Sequence, residues 1–452
     1  MASRRLVEKA SDPDHEELVE HVRADRAIGD ALEQRLLAIG SEVEHTLVQR
    51  KRRELPVQDA RAPSVSAHAS VSARTWSHRD YRRAERGSGS RACGLPLHPS
   101  SVDHWAMNQG DVRQAGVAAL FVAAAAAAHF LHVTPVLAFA AAAAAIALLA
   151  RLVGGATEQL GGRVGSSAAG VVQSALGNLP ELFIALFALH RGLLGVVQAA
   201  LVGSVIANGV LVLGIAFLVG GIRNGTQHFD SARARMIATL TMLGAAILSI
   251  PTLAHAFHTP AAPHGRALSF ICAGVLIVLF AVTLPSLLTG KEDQEGEPPR
   301  WSLRLTVAVL STAGIGAAFT SDWFVSALTP ATHAMHMSQD FAGLVVVAIA
   351  GNAVENVVGV QLAARNRPDF AISVILNSAL QVALLLTPVL VFASLAFSIT
   401  LTLVFPTLLA IALLLAAGIG ALVVYDGEST WEEGAILIGL YVVIAASFWW
   451  GA

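Results

Sequence analysis

The chain has 452 residues, 54% of them hydrophobic and 14% charged, with a formal net charge of −2. So apolar a composition excludes an ordinary soluble globular protein and places the chain in a lipid bilayer. Its two cysteines, Cys93 and Cys272, lie far apart, which excludes a disulfide framework and a cysteine zinc site, and the charge balance gives no sign of a nucleic-acid partner.

The charges are segregated: 17 of 30 Lys and Arg and 16 of 32 Asp and Glu precede residue 107. Residues 1–106 form a polar N-terminal extension with no apolar stretch of crossing length and no signal-peptide order. Within it, Leu18, Val22, Ile28, Leu32, Leu36, Ile39, Val43 and Leu47 recur at near-helical spacing, predicting an amphipathic, self-associating helix over 16–50. Residues 56–99, rich in Ser, Arg, Gly and Pro, read as a disordered linker. The alternative is that translation begins at Met107 and the extension is an artefact of start-site choice.

The remainder, 107–452, reads as a transmembrane domain. Apolar stretches of crossing length follow at 115–132, 135–153, 165–189, 193–220, 236–256, 267–289, 303–327, 341–364, 370–396, 399–424 and 433–450, which predicts about eleven helical spans. Breaks on one side carry Arg151, Arg163, Arg223, Arg233, Arg235, Lys291, Arg300, Arg304, Arg365 and Arg367; those on the other carry only Arg191 and Arg266. By the positive-inside rule the first side is cytoplasmic, so the N-terminus lies inside and the C-terminus outside. In a prokaryote the membrane would be the plasma membrane.

The third and eighth spans repeat one another. Gly177-Asn178-Leu179-Pro180-Glu181 matches Gly351-Asn352-Ala353-Val354-Glu355 at an offset of 174 residues, and the same offset pairs Arg191 with Arg365 and Ser204 with Ser378. The offset shifts the motif by five spans, an odd number, so the copies enter the membrane from opposite sides as an inverted-topology repeat. Such halves enclose a midplane site and rock about it, the architecture of a secondary transporter. Glu181 and Glu355 fall near the centres of their spans, where a carboxylate is costly unless protonated, paired or bound to a cation. Gly177 and Pro180 predict a bend that frees backbone carbonyls; Val354 stands where Pro180 would recur, which predicts a weaker bend in the second copy.

Asn178 and Asn352 share a helix face with their glutamates, while Ser204 with Asn208, and Ser378 with Gln381, share faces of the partner helices. An oxygen-only set with two carboxylates suits Ca²⁺ and disfavours softer metals. Na⁺, K⁺ or Mn²⁺ would accept the same ligands, and a non-transporting membrane sensor of cation occupancy is a second reading. In the first reading Ca²⁺ and H⁺ are the transported ions, and no resident cofactor is expected. Histidines in the outward breaks, His255, His258, His264, His333 and His336, fit no ligand spacing and read as solvated loop residues.

The segments GNLPELFIALFALHRG and GNAVENVVGVQLAARNRPD, each with its following helix, resemble the paired repeats of the calcium/proton exchanger family within the calcium/cation antiporter superfamily. The resemblance extends to GATE ending at Glu158, to Ser321-Asp322, and to Trp431-Glu432-Glu433-Gly434. It implies one peripheral helix and two inverted five-helix repeats, near 135–289 and 303–450, joined by an acidic link at 290–302. It implies Glu181 and Glu355 as alternating Ca²⁺ and H⁺ carriers, with Asn178, Asn352, Ser204, Ser378 and Gln381 as ligands or supports. Gln198, Glu158, Asp322 and Glu433 also fall on positions of the family pattern. Two departures stand out: Asn356 replaces the family's histidine, and Asn377 replaces a glycine before Ser378.

Overall fold

The computed structural model describes residues 107–164, 177–288 and 300–451. The N-terminal extension with its expected helix, Cys93, most of the acidic link and the first half of the expected third span lie outside the described residues. Backbone groups in lipid must be satisfied within the protein, and the described chain answers with helices. They are α1 (Gln109–Phe130), α2 (Pro135–Val164), α3 (Leu179–His190), α4 (Leu194–Asn224), α5 (Ser231–Ala256) and α6 (Gly265–Leu288). There follow α7 (Leu303–Met335), α8 (Gln339–Gly351), α9 (Ala353–Ala364), α10 (Pro368–Ala396), α11 (Thr407–Val423) and α12 (Trp431–Ser447). A two-residue antiparallel pairing of β1 (Gln227–His228) with β2 (Glu428–Ser429) completes the described elements.

Local sequence sets the helix starts. Asn108 and Asp111 cap α1 reciprocally, Asp230 caps α5, Ser302 caps α7, and Thr430 with Glu433 forms a capping box on α12. Pro135 and Pro368 open α2 and α10, where a missing N–H costs nothing. Seven helices, α1, α2, α4, α5, α6, α7 and α10, are long and apolar enough to cross a membrane; α8 and α9 make an eighth if taken as one span bent by 64°. The chain is thus a helical, multi-pass membrane protein.

The boundaries differ most from the hydropathy reading in three places. α2 continues to Val164, beyond the expected end near 153. α7 continues to Met335, beyond the expected end near 327. The expected span at 399–424 is helical only from Thr407, because residues 397–406 are irregular backbone. Leu401, Leu403 and Phe405 of that segment are buried, so its backbone groups need partners. Gln198 Nε2 donates to the carbonyls of Thr402 (2.8 Å) and Val404 (3.1 Å). Thr252 Oγ1 donates to Leu403 O (3.0 Å) and accepts from the Phe405 N–H (2.8 Å), while Ser269 and Ser394 accept from Leu403 and Leu401 N–H, each at 2.9 Å.

Small residues draw the helices together. At Gly203 of α4 a Cβ would lie 2.4 Å from the Leu344 carbonyl oxygen of α8, and at Gly343 of α8 one would lie 2.7 Å from the Val196 carbonyl oxygen of α4. Backbones in such contact gain dispersion energy that larger side chains would forbid. α7 lies along α2, with the Phe139 and Phe324 rings stacked at 4.7 Å between centroids.

Cross-links define the two ends of the bundle. At one end Arg191 pairs with Asp322 (2.6 Å) and His129 stacks on the neighbouring Trp323 (5.9 Å), bringing the C-terminal ends of α1 and α3 to one level on α7. At the other, Gln227 Nε2 donates to Ala363 O (3.0 Å) and Asn366 Oδ1 (2.9 Å), and the Asp230 N–H donates to Asp369 (2.6 Å).

Candidate ion-binding site

The third and eighth expected spans both break at the asparagine of the repeated motif. Asn178 has φ −92° and ψ 18°; Asn352 has φ −89° and ψ 22°. The two asparagines thus turn with the same backbone angles, and Pro180 stands in the first turn of the helix that follows the first of them. Each break begins a short helix whose first turn holds a glutamate, Glu181 in α3 and Glu355 in α9. The unpaired N–H groups and dipole of a helix N-terminus favour an anionic side chain there.

Glu181 is buried and Glu355 partly so. Each points at the other copy's glycine: a Cβ on Gly177 would lie 3.7 Å from Glu355 Oε1, and one on Gly351 would lie 3.0 Å from Glu181 Oε1. Neither carboxylate oxygen of Glu181 has a hydrogen-bond partner among the described residues.

Around them lies a polar cluster. Asn352 Nδ2 donates to Ser204 Oγ (3.0 Å) and Ala348 O (2.9 Å), and its Oδ1 accepts from Asn208 Nδ2 (2.9 Å) and Ser378 Oγ (3.0 Å). Asn208 Nδ2 also donates to Ser378 Oγ (3.0 Å). Asn178 makes one bond, from Nδ2 to Gln381 Oε1 (3.2 Å). The Oδ1 atoms of Asn208 and Asn356 are buried without a described partner. Within a turn after the two serines, α4 and α10 each widen into a π-helical stretch, Ala207–Val212 and Val382–Leu386. Such turns rotate the following side chains to a new face and recur at functional sites.

The seven residues placed around the glutamates from sequence thus lie on α4, α9 and α10 or at the two breaks; Ser204, Asn208, Asn352 and Ser378 form the hydrogen-bonded cluster, and Asn178 and Gln381 pair with each other. The four positions taken from the family pattern lie outside this cluster. Gln198 holds the 397–406 segment, Glu433 accepts from Thr430 N–H (3.0 Å) and Oγ1 (2.9 Å), Asp322 pairs with Arg191, and Glu158 is exposed near the end of α2. Asn377 turns its amide back to Ser373 O (2.8 Å). Thr252 and Ser269 were not singled out from sequence. Their signal is the Thr/Leu alternation of 400–403 followed by Pro406, which marks extended backbone needing outside partners.

The profile of the sodium/calcium exchanger protein family matches residues 134–288 and 305–450. Over 348 residues the chain is 32% identical to a Ca²⁺/H⁺ antiporter of Synechocystis sp., covering 71% of this chain and 93% of the relative. It is 32% identical over 329 residues to the Ca²⁺/H⁺ antiporter ChaA of Bacillus subtilis, covering 70% and 93%. Among solved structures, native YfkE superimposes with a TM-score of 0.65 at 30% identity, covering 74% of this chain and 99% of that one. The H⁺/Ca²⁺ exchanger CAX shares the fold with a TM-score of 0.61 at 16% identity, covering 75% and 92%.

Proposed function

The chain belongs to the sodium/calcium exchanger protein family, and from that premise we propose that it is a secondary antiporter that moves Ca²⁺ out of the cytosol in exchange for H⁺. Glu181 and Glu355 are the shared carriers. The observation that carries this reading is their pairing across the break: each lies in the first turn of a half-helix, against the other copy's glycine, beside amide and hydroxyl oxygens. Hard oxygen ligands around two carboxylates match Ca²⁺ in charge and chemistry. A carboxylate cannot hold a proton and ligate Ca²⁺ at once, so competition at one site couples the two fluxes.

The finer architecture belongs to the same proposal: eleven crossings, one peripheral helix and two inverted five-helix repeats, with α8 and α9 as one broken crossing. Matched local geometry supports the repeat. Gly192 (φ 76°) and Asn366 (φ 57°), 174 residues apart, both turn through the left-handed region. The N–H groups of Leu193 and Arg367, equally related, donate to Ala188 O (2.9 Å) and Leu362 O (3.0 Å). Two halves of this kind provide alternating access by rocking about a central site.

Glu181→Gln removes a carrier charge at nearly constant volume. In everted vesicles it is expected to reduce proton-driven ⁴⁵Ca²⁺ uptake to background; uptake at the unmodified rate would sink the assignment. The same assay in proteoliposomes with Na⁺, K⁺ and Mn²⁺ replacing Ca²⁺ ranks the transported cations.

A further inference from the structure

We propose that Gly351 is a positioning residue for the cation site: the Glu181 side chain packs on its bare Cα, and that fit sets cation affinity and selectivity. The inference rests on the reading of Glu181 as a carrier given above.

Three observations carry it. First, Gly351 closes α8 in ordinary helical backbone, without the positive φ for which glycine is usually kept. In a helix glycine is about 1 kcal/mol worse than alanine, so its place there calls for another reason, and the reason is space. Second, a Cβ on Gly351 would stand 2.7 Å from Glu181 Cγ, 2.8 Å from Cδ and 3.0 Å from Oε1. Carbon atoms rest at about 3.5–4.0 Å, so one methyl group displaces the carboxylate by about 1 Å. Third, Glu181 is 6% exposed and neither of its carboxylate oxygens has a hydrogen-bond partner among the described residues. Packing, not polar bonding, therefore fixes where those oxygens lie.

The symmetry-related contact is looser. A Cβ on Gly177 meets Glu355 Oε1 at 3.7 Å, an ordinary contact that a methyl group tolerates. The two carriers are thus unequal: Glu181 is seated by its glycine, and Glu355 has room. Ca²⁺–oxygen distances span only about 2.3–2.6 Å, so moving one carboxylate by about 1 Å changes which cation the site fits.

The test is the same substitution at both positions, with transport of Ca²⁺, Mn²⁺ and Sr²⁺ measured in proteoliposomes. Gly351→Ala is expected to raise the KM for Ca²⁺ about tenfold, several-fold more than Gly177→Ala, and to change turnover at saturation far less than KM. It is also expected to alter the Sr²⁺ to Mn²⁺ KM ratio by about threefold or more, which loss of stability alone does not do. A folded Gly351→Ala protein with unmodified KM for all three cations overturns the proposal.

If Gly351→Ala does not fold, Gly351→Ala with Glu181→Ala decides the matter. Stability equal to that of Glu181→Ala alone locates the collision at Glu181. Failure of the double variant as well shows a backbone role for Gly351 and overturns the proposal. Glu181→Gln in the same assay separates the two readings: full transport would remove Glu181 as a carrier and this inference with it, whereas an inactive Glu181→Gln leaves the outcome to Gly351.

Discussion

Asn178 and Asn352 have the same backbone angles and stand three residues before their glutamates, yet their side chains are engaged unequally. Asn352, fully buried, makes four hydrogen bonds reaching α4, α8 and α10, whereas Asn178 makes one to Gln381. Asn352→Ala strands donors on Asn208 and Ser378 and is expected to cost about 1–3 kcal/mol, against about 1 kcal/mol or less for Asn178→Ala. Denaturation of the purified protein in detergent measures both, and equal losses would contradict the unequal bonding. Glu433 is similarly decidable. As half of a capping box, its replacement by Ala is expected to lower stability by about 1 kcal/mol. A raised KM for Ca²⁺ without that loss would restore it as an ion ligand. The glutamates, asparagines and serines were legible because the constant offset repeats them. Asn208 and Gln381 have Val382 and Ala207 at the equivalent positions, so only their polarity in apolar helices marked them. Which asparagine would be saturated depends on helices distant in sequence and could not be read locally.

The elements that shape the site depart from regular helix: two breaks, π-helical stretches in α4, α8 (Ala342–Val347) and α10, and the irregular segment at 397–406. Average hydropathy is blind to all three, because a broken or widened helix is as apolar as a straight one. The repeat locates the breaks, and the matching angles at Asn178 and Asn352 follow from the motif that both copies share. At 397–406 the hydropathy window registered an apolar run and predicted helix from 399, while Pro406 and the Thr/Leu alternation argued for extended chain. The structure resolves the conflict through polar side chains lent by α4, α5 and α6. Thr252 supplies both a donor and an acceptor there. Thr252→Val keeps the shape and removes both bonds, at an expected cost of about 1–3 kcal/mol because Leu403 O and Phe405 N–H stay buried. Hydrogen exchange is expected to accelerate at the Phe405 amide, which loses its acceptor, while remaining unchanged in α2. Uniform acceleration throughout would point instead to a general loss of stability.

Over the whole molecule, the tertiary contacts segregate charge in a way that hydropathy alone could only infer. The end bearing the α1–α2, α3–α4 and α5–α6 turns holds Arg191, neutralised by Asp322, and Arg266 beside Phe270. It also holds eight of the nine described histidines: His129, His132, His190, His255, His258, His264, His333 and His336. The end stitched by Gln227 and Asp230 holds Arg223, Arg233, Arg235, Arg365 and Arg367, with Arg163 donating to the Trp301 carbonyl nearby. Since flanking cations resist translocation, the arginine-rich face is expected to be cytosolic. That expectation assigns a side to every turn, including those of the two breaks. With the native cysteines replaced by Ser, Ala261→Cys, exposed between α5 and α6, is expected to react with a membrane-impermeant maleimide in intact cells. Arg223→Cys, exposed at the end of α4, is expected to react only in everted vesicles. The opposite pattern would reverse the orientation, and labelling of both from one side would break the alternation of helix directions on which an inverted repeat depends. The described contacts already place these two turns at opposite ends of α5, so the experiment bears on the membrane's orientation around a fixed bundle.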